Sequence, residues 1–268
     1  MLTSLTLAIL ILRVVLGSGG EIGGPVEPPA PHPAPDAVVP PPDPPGPAGP
    51  FARSNDAKRA QVASRALKPI LTRQLTAAGL RFGDPVFIRV FKEEDALELW
   101  VQEAGKPTYQ LFRTYPIAAW SGKIGPKLAE GDMQAPEGFY FVPPAMLNPH
   151  SSFHLSFNLG YPNAYDRARG RTGSALMVHG SFVSAGCYAM TDAGIEEIYT
   201  LCDAALKNGQ PYFRVHCFPF RMTAERMRKA GDDQWAAFWR NLKEGHDLFE
   251  TKRIPPNVTV RDKTYLFE

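Results

Sequence analysis

Cysteine is scarce, charge is nearly balanced and long apolar runs are almost absent, and each shortage narrows what this chain of 268 residues does. Three cysteines leave at least one thiol unpaired unless a second chain supplies a partner. No H-E-x-x-H and no paired C-x-x-C occurs, and His150, His154 and His179 lack compact metal-ligand spacing. Neither a metal nor another cofactor is expected. A net charge of +2 with a pI of about 8.4 demands no polyanion, and P-loop, RNP and zinc-finger patterns are missing, so no nucleic-acid partner is expected. The longest apolar stretch, within residues 2–16, falls short of the ~20 residues of a membrane span.

What is abundant is proline, at 27 residues, about half of them between Pro25 and Pro50. That segment has no apolar face of either period, which predicts a disordered spacer over residues 21–50 with a reach of roughly 3 Å per residue, or about 80 Å. Ahead of it, Leu5 to Leu12 fits the apolar centre of an export signal, with Gly17-Ser18-Gly19 as small residues for cleavage. No lysine or arginine precedes the run and Arg13 sits near its end, departures from the usual leader. Residues 1–20 are therefore expected to direct export, as a cleaved signal or a retained weak membrane anchor; a mis-called start codon is the other reading.

The stretch that suggests chemistry is SALMVHGSFVSAGCYAMTD, residues 174–192. A small-apolar strand delivers His179-Gly180, then Ser184-Ala185-Gly186-Cys187 follows, and Thr191-Asp192 opens a helix. An imidazole to take a proton, a cysteine, and glycines that let backbone N–H groups approach an oxyanion are the parts of thiol catalysis. Local spacing alone is equally compatible with a buried structural cysteine. Cys202 and Cys217 read as two buried thiols or as a bonded pair, and Cys187 is free under either reading.

Around this stretch the pattern predicts an α+β chain. A helix runs from Ser54 or Asn55 to about Ala78, with Val62, Leu67, Ile70, Leu71 and Leu75 as its apolar spacing, Pro69 as a kink site and its arginines on a solvated face. VFIRVF, ALELWVQE and TYQLFRTYPIAAW make an antiparallel meander from residue 86. Gly138 to Val142 and the start of FHLSFNLG are further strands, Tyr161-Pro162-Asn163 a turn, and residues 121–149 a long loop suited to substrate groups. Arg167, Arg169 and Arg171 are candidates for an anionic substrate group. Ala193 to Lys207 is helical, PYFRVHCFPF a strand, Ala224 to Lys229 and Asp232 to Phe249 closing helices, and the terminal NVTVRDKTYLFE one last strand.

HGSFVSAGCYAMTD, preceded by SGKIGPKLAEGDMQAPEGFY and FNLGYPNAYD and followed by FRVHCFPFRMT and AAFWRNLKEGHDLFE, resembles the YafK-like branch of the YkuD-type L,D-transpeptidases from about Phe82 to Phe267. The resemblance implies a β-rich catalytic domain of mixed and antiparallel sheets with flanking helices over residues 82–268, preceded by a helical segment at 51–81. It implies a periplasmic enzyme of bacterial peptidoglycan in which Cys187 is the nucleophile and His179 its proton acceptor. Gly186 would shape the turn, Ser184 orient it, and N–H groups around Gly186 and Cys187 bind the oxyanion. Peptidoglycan stem peptides would be the partner, with Lys127, Tyr140, Asn163, Arg167 and Tyr188 as candidate contacts. Cys187 would attack the meso-diaminopimelate carbonyl of a tetrapeptide stem, expel D-alanine, and pass the acyl group to diaminopimelate, to L-alanine, or to water in an amidase that releases linked proteins. Ala185 stands where many family members carry a second histidine, the His179–Cys187 spacing is shorter than usual, and Tyr188-Ala189-Met190 replaces an arginine often found after the cysteine. A wall-binding module with a structural cysteine is the non-enzymatic alternative. Oligomeric state has no signal here.

Overall fold

The computed structural model describes residues 56–268. The leader, the spacer and the first residues of the helical segment expected from sequence lie outside the described residues, and among those described no helix is long and apolar enough to cross a membrane.

Helix α1 (Asp56–Ala77) leads into the meander β1 (Val86–Phe91), β2 (Ala96–Gln102) and β3 (Tyr109–Pro116), paired antiparallel as the alternating sequence predicts. Then come β4 (Ala119–Trp120), a loop, β5 (Gly138–Val142), β6 (Leu147–Asn148), β7 (Ser156–Asn158), the short helix α2 (Ala164–Ala168), β8 (Met177–His179) and β9 (Tyr188–Ala189). Helix α3 (Asp192–Lys207), β10 (Phe213–Phe218), α4 (Ala224–Lys229), α5 (Ala236–Lys252), β11 (Val258–Arg261) and β12 (Thr264–Phe267) complete the chain. One sheet has the order β3-β2-β1-β10-β5, parallel only between β1 and β10. A second has the order β4-β9-β8-β7-β6, parallel only between β8 and β9.

The alternation of β1 explains the layering. Val86, Ile88 and Val90 enter the main core, which also takes Phe157, Val178 and Tyr188 from the second sheet and Leu71, Ile195 and Ile198 from helices α1 and α3. Phe87, Arg89 and Phe91 point the other way, where α5 contributes Trp239, Leu242 and Phe249. Each such fully buried aliphatic or aromatic side chain is worth roughly 1.5–3 kcal/mol. Both faces of the first sheet are thus covered, which is why β1 reads as a continuous apolar run broken only by Arg89.

Four sequence expectations shift. TYQLFRTYPIAAW is not one strand, because β3 ends at Pro116 and Ala119–Trp120 joins the second sheet as β4. On α1 the stripe that packs inward is Ala63, Leu67, Leu71 and Leu75, at intervals of four, and it meets α3; Val62 and Ile70 are 65% and 42% exposed and face outward. Pro69 lies within an unbroken helical span. The last segment is a hairpin rather than one strand, because Asp262 and Lys263 both adopt positive φ (51° and 58°), the geometry of a two-residue primed turn. Cys202 and Cys217 are separate buried thiols.

Candidate active site

Strands β8 and β9 run parallel, pairing Val178 with Tyr188 and His179 with Ala189. Val178 and Tyr188 are fully buried in the main core. Alternation therefore turns Met177, His179, Cys187 and Ala189 to the opposite face. The register continues at Met177, whose N–H lies 3.4 Å from Cys187 Sγ. His179 and Cys187 thus share one face of neighbouring strands, roughly 8 Å apart at Cα from the strand spacing and rise.

The connection between these parallel strands, residues 180–187, is shorter than the dozen or more residues of an ordinary crossover. Two glycines make it feasible. Gly180 lies where a Cβ would meet Asp192 Oδ1 and the Phe153 carbonyl, each at 2.7 Å, and Gly186 has φ of +98°. Ser184 Oγ accepts from Cys187 N–H at 3.0 Å and donates to Cys187 O at 2.7 Å, a local clasp that orients the cysteine. Gly186 N–H is held by Ser121 Oγ, which donates onward to Met133 O. Both N–H groups expected to bind an oxyanion are thus occupied by hydroxyl oxygens.

His179 Nδ1 lies 2.6 Å from the Gly180 carbonyl oxygen, an arrangement that places the proton on Nδ1 and leaves Nε2 as an acceptor. Burial holds the imidazole below its ordinary pKa, partly offset by that carbonyl. Burial also pushes the Cys187 thiol up, against the opposing pull of Met177 N–H and of Lys127. Both directions favour the uncharged form of each group. The Phe153 ring covers the imidazole with centroids 4.8 Å apart and planes tilted by 36°.

A loop of residues 121–137 closes one side of the site, and its anchor is a buried ion pair. Lys92 Nζ donates to the carbonyls of Gly125 (2.8 Å) and Ala135 (2.9 Å) and to Glu137 Oε1 (2.9 Å). Glu137 also accepts from Gly125 N–H and Trp239 Nε1. Both charges are fully buried, so the loop's dense Gly and Pro content is compatible with a defined shape. Farther along, Asp132 pairs with Lys127 and accepts from the N–H groups of Leu128, Ala129 and Gln134. Burial raises the Asp132 carboxyl, but these donors outweigh it and hold its pKa at about 2.

The YkuD model, the L,D-transpeptidase catalytic domain, matches residues 85–233, more than half of the chain. A protein of Escherichia coli K12 named "Putative L,D-transpeptidase YafK" is 46% identical over 184 residues, covering 69% of this chain and 74% of that protein. This chain belongs to the YkuD L,D-transpeptidase family. Two solved structures are similar at lower identity. The helical cell shape determining protein Pgp2 of Campylobacter jejuni is 18% identical, covers 71% of this chain and 80% of its own, and has a TM-score of 0.41. Bd1075 of Bdellovibrio bacteriovorus is 17% identical, with coverages of 69% and 84% and a TM-score of 0.37.

Within this family member, the five side chains named as substrate contacts fall into different places. Lys127 is buried and electrostatically close to the thiol. Tyr188 and Tyr140 need correction as cleft residues. Tyr188 is fully buried on the core side of β9, donating to Pro136 O at 2.6 Å, because its neighbour Cys187 takes the outer face. Tyr140 is buried in β5 and donates to Glu137 O. Asn163 caps α2 in a reciprocal capping box with Asp166 and donates to Phe139 O and Tyr265 Oη, so its polar atoms are committed to structure. Arg167 is exposed and bonds Pro162 O. Its neighbours are also engaged: Arg171 with Asp166, and Arg169 with Lys263 O. Sequence reasoning did not single out Ser121, Phe153 or the Lys92–Glu137 pair. Contacts between distant segments bring Ser121 to the cysteine turn and Phe153 over the imidazole, and the Lys92–Glu137 pair anchors the neighbouring loop; no local spacing announces them.

Proposed function

We propose that this family member is a peptidoglycan L,D-transpeptidase acting in the periplasm, with residues 1–20 directing export, 21–50 spanning toward the wall and 82–268 forming the catalytic domain. The observation that carries the reading is the shared face of His179 and Cys187 on paired strands, with Nδ1 committed to the Gly180 carbonyl. The other imidazole nitrogen, Nε2, is then the candidate base for the thiol.

In this reading His179 Nε2 takes the thiol proton as Cys187 Sγ attacks the carbonyl of diaminopimelate at the third position of a tetrapeptide stem. The oxyanion displaces the hydroxyl partners of the Gly186 and Cys187 N–H groups and takes their donors. Collapse breaks the amide bond, and the imidazolium returns its proton to the departing D-alanine amine, leaving a thioester. An incoming amine, from diaminopimelate or L-alanine of a second stem, loses a proton to His179 as it forms the new amide and frees the thiol. The raised thiol pKa suits proton transfer within the encounter rather than a resting thiolate exposed to oxidants.

Purified protein incubated with tetrapeptide muropeptides, with products resolved by mass spectrometry, tests this. Release of D-alanine together with joined stems, both lost in Cys187→Ala, is the expected result. Neither product, or products unaffected by Cys187→Ala, refutes it. D-alanine release or cleavage of protein-linked stems without any joining makes water the acceptor and the protein an amidase.

A further inference from the structure

We propose that Arg59 of helix α1 and Phe153 are positioning residues for His179, so that a helix preceding the residues matched by the family model is part of the catalytic apparatus. The inference rests on the His179–Cys187 reading above.

The path is short and physical. Arg59 Nη1 donates to two carbonyls of one loop, Ser151 O at 3.1 Å and His154 O at 3.0 Å. Between those anchors sits Phe153, whose ring lies over the imidazole and whose own carbonyl abuts Gly180. On the loop's other side His154 Nε2 meets Glu196 Oε1 of α3 at 2.8 Å. The loop is therefore fastened to two helices, α1 and α3, which pack on each other. Phe153 is 45% exposed, yet His179 beneath it is only 3% exposed. A phenyl ring that remains half in water is a poor contributor to core stability; its consequence is to exclude water from one face of the imidazole and to limit where the ring can swing.

The titratable and charged groups on the segments packed near His179 are Cys187 just before β9, Asp192 and Glu196 on α3, His154 on the loop and Arg59 on α1, with Lys127 acting on the thiol. Asp192 is taken up by Ser181 N–H and Glu196 by His154. Burial, then the Gly180 carbonyl, sets the imidazole's protonation rather than these charges. Removing the cover should therefore move His179 toward the ordinary pKa of about 6.5.

The test is the pH dependence of alkylation of Cys187 by iodoacetamide, read on the Cys187 peptide by mass spectrometry between pH 4.5 and 8, in full-length protein. In wild type the rate falls on the acid side as His179 takes a proton, and His179→Ala lacks that limb. Phe153→Ala shifts the limb upward by about half to one pH unit, slowing alkylation roughly 3–10-fold at pH values below it while the neutral plateau changes less. Arg59→Ala shifts it the same way, and Arg59→Lys restores most of the wild-type profile because an ammonium still reaches the two carbonyls. A limb unmoved in Phe153→Ala, or a uniform loss at every pH, overturns the proposal. A wild-type profile with no limb that His179→Ala removes overturns the underlying His179–Cys187 reading instead.

Discussion

The buried Lys92–Glu137 pair makes the most demanding quantitative prediction. Lys92→Met removes three charge-assisted hydrogen bonds and leaves the buried Glu137 side chain, among the described residues, with Gly125 N–H and Trp239 Nε1 as its donors. Breaking a buried pair from one side costs about 3–5 kcal/mol, because the surviving charge keeps its desolvation penalty without its partner. In a folded unit of this size each kcal/mol lowers Tm by about 2–4 °C, so a fall of roughly 6–20 °C is expected. Glu137→Gln should cost a similar amount by stranding the ammonium. The double variant should then cost clearly less than the two singles summed, with a coupling of about 1–3 kcal/mol, since the second substitution relieves the burial created by the first. Urea and thermal unfolding of all four proteins, followed by circular dichroism at pH 7.5, complete the cycle. Single losses under about 1 kcal/mol, or singles that add within about 0.5 kcal/mol, refute the argument that this pair holds the loop to the sheet.

Two further outcomes follow from the same geometry. Ser121→Ala takes away the oxygen that holds Gly186 N–H and the donor to Met133 O, a stability loss of about 0.5–2 kcal/mol read by urea unfolding; because the oxyanion displaces this hydroxyl in the proposed reaction, D-alanine release should not slow by the matching factor, and unchanged stability would show that the turn holds its shape without this tie. His216 is buried with neither ring nitrogen bonded among the described residues, between the rings of Phe87 and Phe139, and burial, with the positive charges of Arg214 and Arg89 adding to it, pushes its pKa well below the ordinary value. As pH falls below about 6.5 the unfolded chain takes up this proton and the folded one does not, so stability present above that pH is lost at up to about 1.4 kcal/mol per unit. Urea titrations from pH 7.5 to 5 should show a shallower loss in His216→Leu, and an identical slope counts against it.

The longer elements could be read from the chain because their signals are local, whereas the short α2, β6 and β9 carry too little periodicity to be read. The meander, the α3 face of Ile195, Ile198, Tyr199, Cys202 and Leu206, and the Thr191 cap all appear where periodicity and capping chemistry put them. Local signals failed where burial is decided from outside. On α1 the partner helix α3 selected Ala63 over the larger Val62, a choice no single-helix pattern contains. The sequence offers the tyrosines at 140 and 188 as substrate contacts, whereas strand register and packing bury both side chains.

The same division holds at the candidate site. The sequence by itself determined its chemical inventory: a histidine and a cysteine separated by a short glycine-bearing segment, within blocks specific enough to indicate the family. Tertiary structure alone decided that the two share a face, through the parallel pairing of β8 with β9. It also decided that Ser121 holds the cysteine turn, that Phe153 covers the histidine and that Arg59 clamps the loop carrying Phe153, at 65 residues from Gly186 in the case of Ser121 and at 92 and 95 residues from the clamped carbonyls in the case of Arg59. Contacts at such separations depend on how whole sheets and helices pack, whereas the identity of a reactive group needs only its own residue and near neighbours.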